Sequence, residues 1–146
     1  MEATNTLLDA IHTYFPQEEI DVRTLSSLKL AYLGDAVYEI IIRTLSVEET
    51  SGPVKNLHKR TSELVNAGSQ ARLILAVKDE LSEDEIRIFR HGRNAKTSSV
   101  AKHADIHDYR NATGLEALFG YLYLTDNFAR AVELCRIGFD KLHINI

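Results

Sequence analysis

The sequence has little of what constrains a chain covalently: one cysteine, two prolines and no tryptophan in 146 residues. Cys135 cannot form an internal disulfide, and we expect a small core residue there. Charges interrupt every apolar run well before the ~20 residues of a membrane span, so none is predicted. Residues 1–5 have no basic region ahead of an apolar one, so we expect no secretory signal and a cytoplasmic protein. The length predicts one domain, residues 1–146.

An overall excess of positive charge is also missing, since the net charge is −4. Taken alone, this argues against a nucleic-acid partner. The charges are nevertheless divided along the chain. Residues 55–110 hold eleven Lys+Arg against eight Asp+Glu, whereas the remainder holds six against thirteen. The middle of the chain is therefore basic and compatible with a polyanion.

Alternating runs typical of strands are absent, and apolar residues recur at helical spacing throughout. We therefore predict an all-α fold. Its second helix is apolar all around its axis, which predicts a buried central helix. Caps, prolines and periodicity predict helices at 5–14, 25–45, 56–77 (one helix or a pair), 82–91, 108–124 and 126–139. A loop is expected at 94–106. Ser82 is predicted to form a capping box, and Asp108 and Asp126 are predicted to be N-caps.

Two short apolar stretches each carry one carboxylate, Asp35 and Glu116. An acid in such surroundings is costly to bury unless something neutralises it. Gly34 and Gly120 lie beside these acids inside predicted helices, where glycine costs up to about 1 kcal/mol relative to alanine. Glycine permits close backbone approach, so we expect the two helices to cross there and bring Asp35 and Glu116 together.

Two carboxylates at short range repel each other unless a cation lies between them. Mg²⁺ suits such hard oxygen ligands, and it keeps waters and accepts phosphate oxygens as further ligands. The alternative is purely structural: Asp35 is a hydrogen-bonded buried acid and Glu116 pairs with an arginine. Glu39, one turn after Asp35, is expected to form an outward ion pair. Spacing alone leaves both interpretations open.

The two stretches resemble the signature segments of ribonuclease III. Residues 28–37, LKLAYLGDAV, are similar to the family's ERLEFLGD followed by small and apolar residues, and residues 113–120, TGLEALFG, are similar to its DxxEALxG. The turn at residues 64–66 and the basic approach at Lys96 and Arg110 also resemble the family. The likeness extends over about residues 25–139, and two motifs in the correct order are far more specific than one.

Two family carboxylates are missing, because Ala31 and Thr113 occupy their positions. Within residues 1–146 we expect no double-stranded-RNA-binding domain of the family type. These features resemble the mini-ribonuclease III subgroup, and residues 58–62 and 92–96 also resemble stretches of that subgroup. The resemblance implies a homodimeric, Mg²⁺-dependent endonuclease, with Mn²⁺ as a substitute ion, that cuts double-stranded precursor 23S ribosomal RNA, with a ribosomal protein as a candidate helper. It implies Asp35 as catalytic residue and metal ligand and Glu116 as metal ligand. The missing acids favour one ion.

A minimal nuclease must hold its duplex through phosphate contacts, which supply affinity without reading sequence. Recognition of an A-form duplex is largely by shape and 2′-hydroxyls. The expected RNA-binding residues are clustered basic and polar side chains near the signature helices: Lys55, His58, Lys59, Arg60, Arg93, Asn94, Lys96, Lys102 and Arg110. Tyr109, Tyr121 and Tyr123 are expected in the core, because duplex RNA offers few unstacked bases.

Two other functions fit parts of the sequence. The loss of two acids is compatible with a non-catalytic RNA- or ribosome-binding module that kept the fold. Glu80 and Glu83, three residues apart, superficially suit an all-α nucleotide pyrophosphohydrolase. Those two acids fit a helix start and a solvated surface better.

Overall fold

The structure is a computed structural model, which describes residues 6–49, 51–96 and 105–146. These ranges contain no strand, which confirms the all-α prediction. Short 3₁₀ turns lie at Val22–Thr24 and Lys78–Glu80. The α-helices are α1 (Leu7–Tyr14), α2 (Ser27–Glu49), α3 (Val54–Leu64), α4 (Ala67–Val77), α5 (Glu83–Asn94), α6 (Ile106–Leu124) and α7 (Phe128–Lys141). The predicted segment 56–77 is thus a helix pair.

The buried central helix is α6, and the prediction that gave this role to α2 is wrong. Leu115, Leu118 and Phe119 of α6 are fully buried, and α6 packs against α2, α4, α5 and α7. On α2, Tyr32 is 86% exposed and Ile40 is 50% exposed. An all-round apolar pattern does not require an all-round core, because in α2 one side packs inward and the other lies on the surface.

Helix starts are set by local capping. Ser82 Oγ accepts from the Glu85 amide at 3.2 Å and Glu85 Oε1 accepts from the Ser82 amide at 2.8 Å, which confirms the capping box. The expected caps at Asp108 and Asp126 are wrong. Asp105 has the extended backbone of an N-cap and accepts from the Asp108 amide, so Asp108 lies in the first turn. Asp126 has φ 61°, the left-handed conformation of a turn.

Helices α2 and α6 cross backbone against backbone. A Cβ added at Gly34 would lie 1.6 Å from the carbonyl oxygen of Glu116, and one added at Gly120 would lie 2.0 Å from that of Leu30. Neither position can hold a side chain without separating the helices. On its other side, α6 meets α5 in the same way, through Gly114 and Gly92. The predicted close crossing is confirmed, and it fixes where Glu116 lies relative to α2.

Within the described ranges, no helix combines the length and the hydropathy that crossing a bilayer requires.

Candidate active site

Asp35 and Glu116 line one pocket of about 490 Å³ where α2 crosses α6. The pocket is bounded by Leu28, Ala31, Tyr32, Leu33, Asp35, Ala36, Glu39, Tyr109, Thr113 and Glu116. Asp35 is exposed to solvent and Glu116 is half-buried. The two acids therefore meet at the open side of the crossing and not inside the core. This opening gives an ion and a large substrate access to both carboxylates.

The two carboxylates interact directly, and no basic side chain separates them. Burial, followed by the hydrogen bond and charge of Asp35, raises the pKa of Glu116 to about 8. Among the residues that the structure describes, neither acid forms an ion pair. The alternative in which an arginine of this chain neutralises Glu116 is thus not supported. A carboxylate held beside another in this way lacks the positive partner that its ionised form requires.

These donors fit a divalent cation that keeps part of its water shell. Two carboxylates supply hard oxygen ligands, and the open pocket leaves room for water and phosphate oxygens. The described residues contain no group of three or more His, Cys, Asp or Glu arranged to hold a metal. Glu39, the nearest further acid on α2, pairs with Arg43 at 3.0 Å, as predicted. The described part of the chain therefore offers two carboxylate ligands here, which is typical of Mg²⁺ sites completed by substrate.

Ala31 and Thr113, at the positions of the two missing family acids, both line this pocket. Ala31 presents only a methyl group. Thr113 donates its hydroxyl to the Tyr109 carbonyl at 3.0 Å, a bond within its own helix. Neither side chain adds a negative charge to the site, so the pocket carries fewer acids than the four-carboxylate pattern.

A family model described as the Ribonuclease III domain matches residues 28–127, a range that contains both acids and the whole crossing. The chain belongs to the ribonuclease III family. Curated relatives place it in the mini-ribonuclease III subgroup. Mini-ribonuclease 3 of Clostridium tetani is 43% identical over 128 residues, which are 85% of each chain. Mini-ribonuclease 3 of a Thermoanaerobacter species is 48% identical over 117 residues, 80% of this chain and 82% of the relative.

Solved structures agree with this assignment. The crystal structure of protein FN1578 from Fusobacterium nucleatum matches with a TM-score of 0.74 and 29% sequence identity, covering 84% of this chain and 98% of that one. This ribonuclease III family member is a hydrolytic endoribonuclease, which sets the pyrophosphohydrolase interpretation aside. Ribonuclease III enzymes act on double-stranded RNA, are typically dimeric and are generally metal-dependent.

The predicted RNA-binding residues fall into two groups. Arg93 and Asn94 end α5 and Arg110 is exposed on α6, with Lys96 exposed just after α5. Because Gly92 packs on Gly114, this end of α5 lies beside the turn of α6 that precedes Glu116. Lys102 lies outside the described residues. The other group, Lys55, His58, Lys59 and Arg60 on α3, does not line the pocket.

Two of the arginines have contacts within the ribonuclease III chain. Arg60 donates to the Asn145 carbonyl, which holds the C-terminal segment against α3. Arg60 Nη1 also lies 3.6 Å from Glu63 Oε2. The Arg93 guanidinium lies 5.5 Å from the centre of the Phe89 ring. A role in binding RNA stays a prediction for both, and for the remaining members of the two groups.

Two residues near the site were missed in the sequence. Tyr109 was expected in the core but is half-buried and lines the pocket, two helical turns before Glu116 on the same face of α6. Gln70 of α4 is 4% exposed, and its side chain acts on the Glu116 carboxyl. Gln70 shares the apolar stripe of Leu73, Ile74 and Val77, and a lone amide on such a stripe was the available signal.

Proposed function

We propose that the chain is a Mg²⁺-dependent endoribonuclease that cuts double-stranded RNA and matures the ends of precursor 23S ribosomal RNA, with Mn²⁺ as a substitute ion and a ribosomal protein as a candidate helper. One observation carries the metal dependence: Asp35 and Glu116 adjoin each other at an open crossing, with no cationic side chain of the described residues paired to either. The choice of precursor 23S ribosomal RNA rests on the resemblance to the mini-ribonuclease III subgroup, to which the relatives belong.

Asp35 and Glu116 would hold the ion, Asp35 from the exposed side and Glu116 from the floor of the pocket. When bound, Mg²⁺ supplies Lewis acidity that activates water and stabilises the charge developing on a phosphodiester. The chain itself holds both carboxylates in place, because α2 and α6 pack backbone against backbone where they cross. With Ala31 and Thr113 adding no charge, we propose one tightly held ion per site.

We also propose that the enzyme is a homodimer formed through the exposed side of α2. An apolar groove of about 1080 Å³ lies between α1, α2 and α7. Leu7, Ile40 and Phe128, which line it, are 64%, 50% and 40% exposed. A large exposed apolar groove of this kind is typical of a surface that contacts another protein. Two active sites across one groove of a duplex would each cut one strand. The cytoplasmic location remains a prediction from the sequence.

The test is cleavage of a labelled precursor 23S duplex by wild type and the Asp35→Asn variant, in Mg²⁺ and in chelator. Asparagine keeps the shape of Asp35 but loses the charge that holds the ion. We expect cleavage by wild type only with Mg²⁺, and a loss on the order of 1000-fold in the variant with duplex binding retained.

Glu85→Gln is the matched control, because Glu85 is a buried acid remote from the pocket lining, and it should keep cleavage. Undiminished cleavage by Asp35→Asn contradicts the metal site. Equal cleavage of an unrelated duplex contradicts only the choice of precursor 23S RNA as substrate.

A further inference from the structure

Gln70 places a polar amide at a buried position, where its burial is unfavourable for folding. It lies on the inward face of α4, 4% exposed, on the same stripe as the fully buried Leu73, Ile74 and Val77. Burying an amide without full hydrogen bonding is unfavourable, because its lost contacts with water are not replaced. An apolar residue would pack there without that cost, so the amide requires an explanation outside the core.

The Gln70 amide nitrogen is unpaired. Among the described residues, Nε2 is one of two buried side-chain polar atoms with no hydrogen-bond partner, the other being the Ser46 hydroxyl. Buried donors in native proteins are nearly always satisfied, so an exception requires a specific explanation such as a role at a functional site. The neighbouring polar side chain, Ser69, is by contrast bonded to the Glu63 carbonyl at 2.6 Å.

Helix α4 packs against α6, and this packing brings the Gln70 side chain beside the Glu116 carboxyl group. Burial and Asp35 raise the pKa of Glu116, whereas the approach of Gln70 acts in the opposite direction. The amide comes close enough to favour the charged carboxylate without completing a hydrogen bond of full geometry. A hydrogen bond from Gln70 to Glu116 would give this unpaired donor a partner.

A neutral donor is suited to this place. A basic residue beside Glu116 would orient the carboxylate but would also cancel the charge that attracts a cation. An amide can hold one carboxylate oxygen and leave the full negative charge available. Partners of this kind fix the direction of a metal ligand, and their loss typically costs 10- to 100-fold in metal affinity or activity.

We propose that Gln70 is a positioning residue, which donates its amide to Glu116 and holds that carboxylate turned toward Asp35 for binding a divalent cation. This inference rests on the proposed function. Gln70 does not line the pocket, and it acts through Glu116.

The experiment measures Mn²⁺ binding by calorimetry and thermal unfolding in chelator for wild type, Gln70→Met and Ser69→Ala. Methionine keeps the length and volume of glutamine but removes the donor. We expect Gln70→Met to fold with an unchanged or higher melting temperature, because an unpaired amide is removed, and to bind Mn²⁺ about 10-fold more weakly. Ser69→Ala should lose stability and keep Mn²⁺ affinity.

Unchanged Mn²⁺ affinity in Gln70→Met, with wild-type binding abolished by Asp35→Asn, overturns the role of Gln70 and leaves the proposed function intact. Wild type that binds no Mn²⁺ overturns both. Ser69→Ala that weakens Mn²⁺ binding as much as Gln70→Met also overturns the proposal, because the effect then belongs to the packing of α4. Gln70→Asn, whose donor is one methylene short, should resemble Gln70→Met.

Discussion

Glu85 is buried and Glu116 is half-buried, and their surroundings shift the two carboxyl pKa values in opposite directions. Glu85, at the corner of α5 and α7, is 7% exposed and accepts from Arg130 Nε at 2.9 Å and from the Ser82 amide. Burial alone would raise its pKa, but those hydrogen bonds and the Arg130 charge lower it below the ordinary value. Glu116 adjoins another acid, and its pKa is raised to about 8.

The contrast separates an acid whose charge is satisfied within the fold from one to which we assign a role in binding a cation. The Glu85 carboxylate is complete within the chain, since its charge and oxygens have partners. The Glu116 carboxylate is incomplete, because its neighbour Asp35 repels the charged form. Perturbation of this sign at an open pocket marks a functional site more reliably than burial alone.

The largest stability effect is expected where the two acids are brought together. Gly34→Ala would place a Cβ 1.6 Å from the Glu116 carbonyl oxygen, so the helices must separate. We expect a loss of about 3 kcal/mol or more in the free energy of unfolding, measured by urea denaturation. Gly68→Ala is the control, since its Cβ would meet only the side chains of Asn66, Asp108 and Arg72 at 3.4 Å or more. It should gain up to about 1 kcal/mol. Equal effects would contradict the backbone crossing.

Replacing each glutamate by glutamine should change stability in opposite directions. Glu85→Gln removes the buried carboxylate that accepts from Arg130 and leaves Arg130 paired with the exposed Glu133, and we expect a loss of about 1 to 3 kcal/mol in the free energy of unfolding. Glu116→Gln removes a repulsive charge, so the chain in chelator should be as stable as wild type or more stable. Urea denaturation of both variants at pH 8 measures this. Destabilisation by Glu116→Gln would contradict the claim that Asp35 repels the ionised Glu116 carboxylate.

Glu116 and Glu85 should each affect the pH dependence of stability, but in different pH ranges. Between pH 4.5 and about 8, the folded chain retains a proton on Glu116 that the unfolded chain releases, so stability in chelator falls as pH rises. The lowered pKa of Glu85 contributes stability above its unfolded pKa, which is lost as pH falls through the folded pKa. Thermal unfolding from pH 3 to 9 should flatten in the upper range for Glu116→Gln and in the acidic range for Glu85→Gln. Profiles identical to wild type would contradict the assignment.

The smallest effect is expected outside both acid sites. Lys96 is exposed just after α5, near the turn that precedes Glu116, and has no ion pair with a described residue. If it contacts one phosphate, Lys96→Gln should weaken duplex binding a few-fold and reduce the slope of log affinity against log salt by about 1. Filter binding at several salt concentrations checks this. An unchanged slope removes Lys96 from the RNA interface.

The helical architecture and the acid pair could be predicted, because both depend on local signals. Helical periodicity, the Ser82 capping box and glycines beside Asp35 and Glu116 are all readable along the chain. The central helix was misassigned because α2 and α6 are both apolar all around, and only packing decides which one is enclosed. Asp108 and Asp126 were misassigned as caps because an N-cap requires extended backbone at the capping residue itself, which residue type alone does not determine.

The surroundings of the acids were harder to predict, because they come from other helices. Gln70 reaches Glu116 from α4, and nothing in the sequence around residue 70 identifies that neighbour. The exposure of Asp35 was also missed, since an apolar stretch suggested burial. The sequence predicted that Asp35 and Glu116 lie together, and the tertiary structure was needed to show that they face an open pocket.

The most direct test of the account is the binding of Mn²⁺ to the isolated chain, followed by electron paramagnetic resonance or calorimetry. We predict one ion per chain, bound more than about 100-fold more weakly by Asp35→Asn and by Glu116→Gln, and bound normally by Glu85→Gln. Wild-type affinity in Glu116→Gln would contradict the claim that Asp35 and Glu116 together hold the ion.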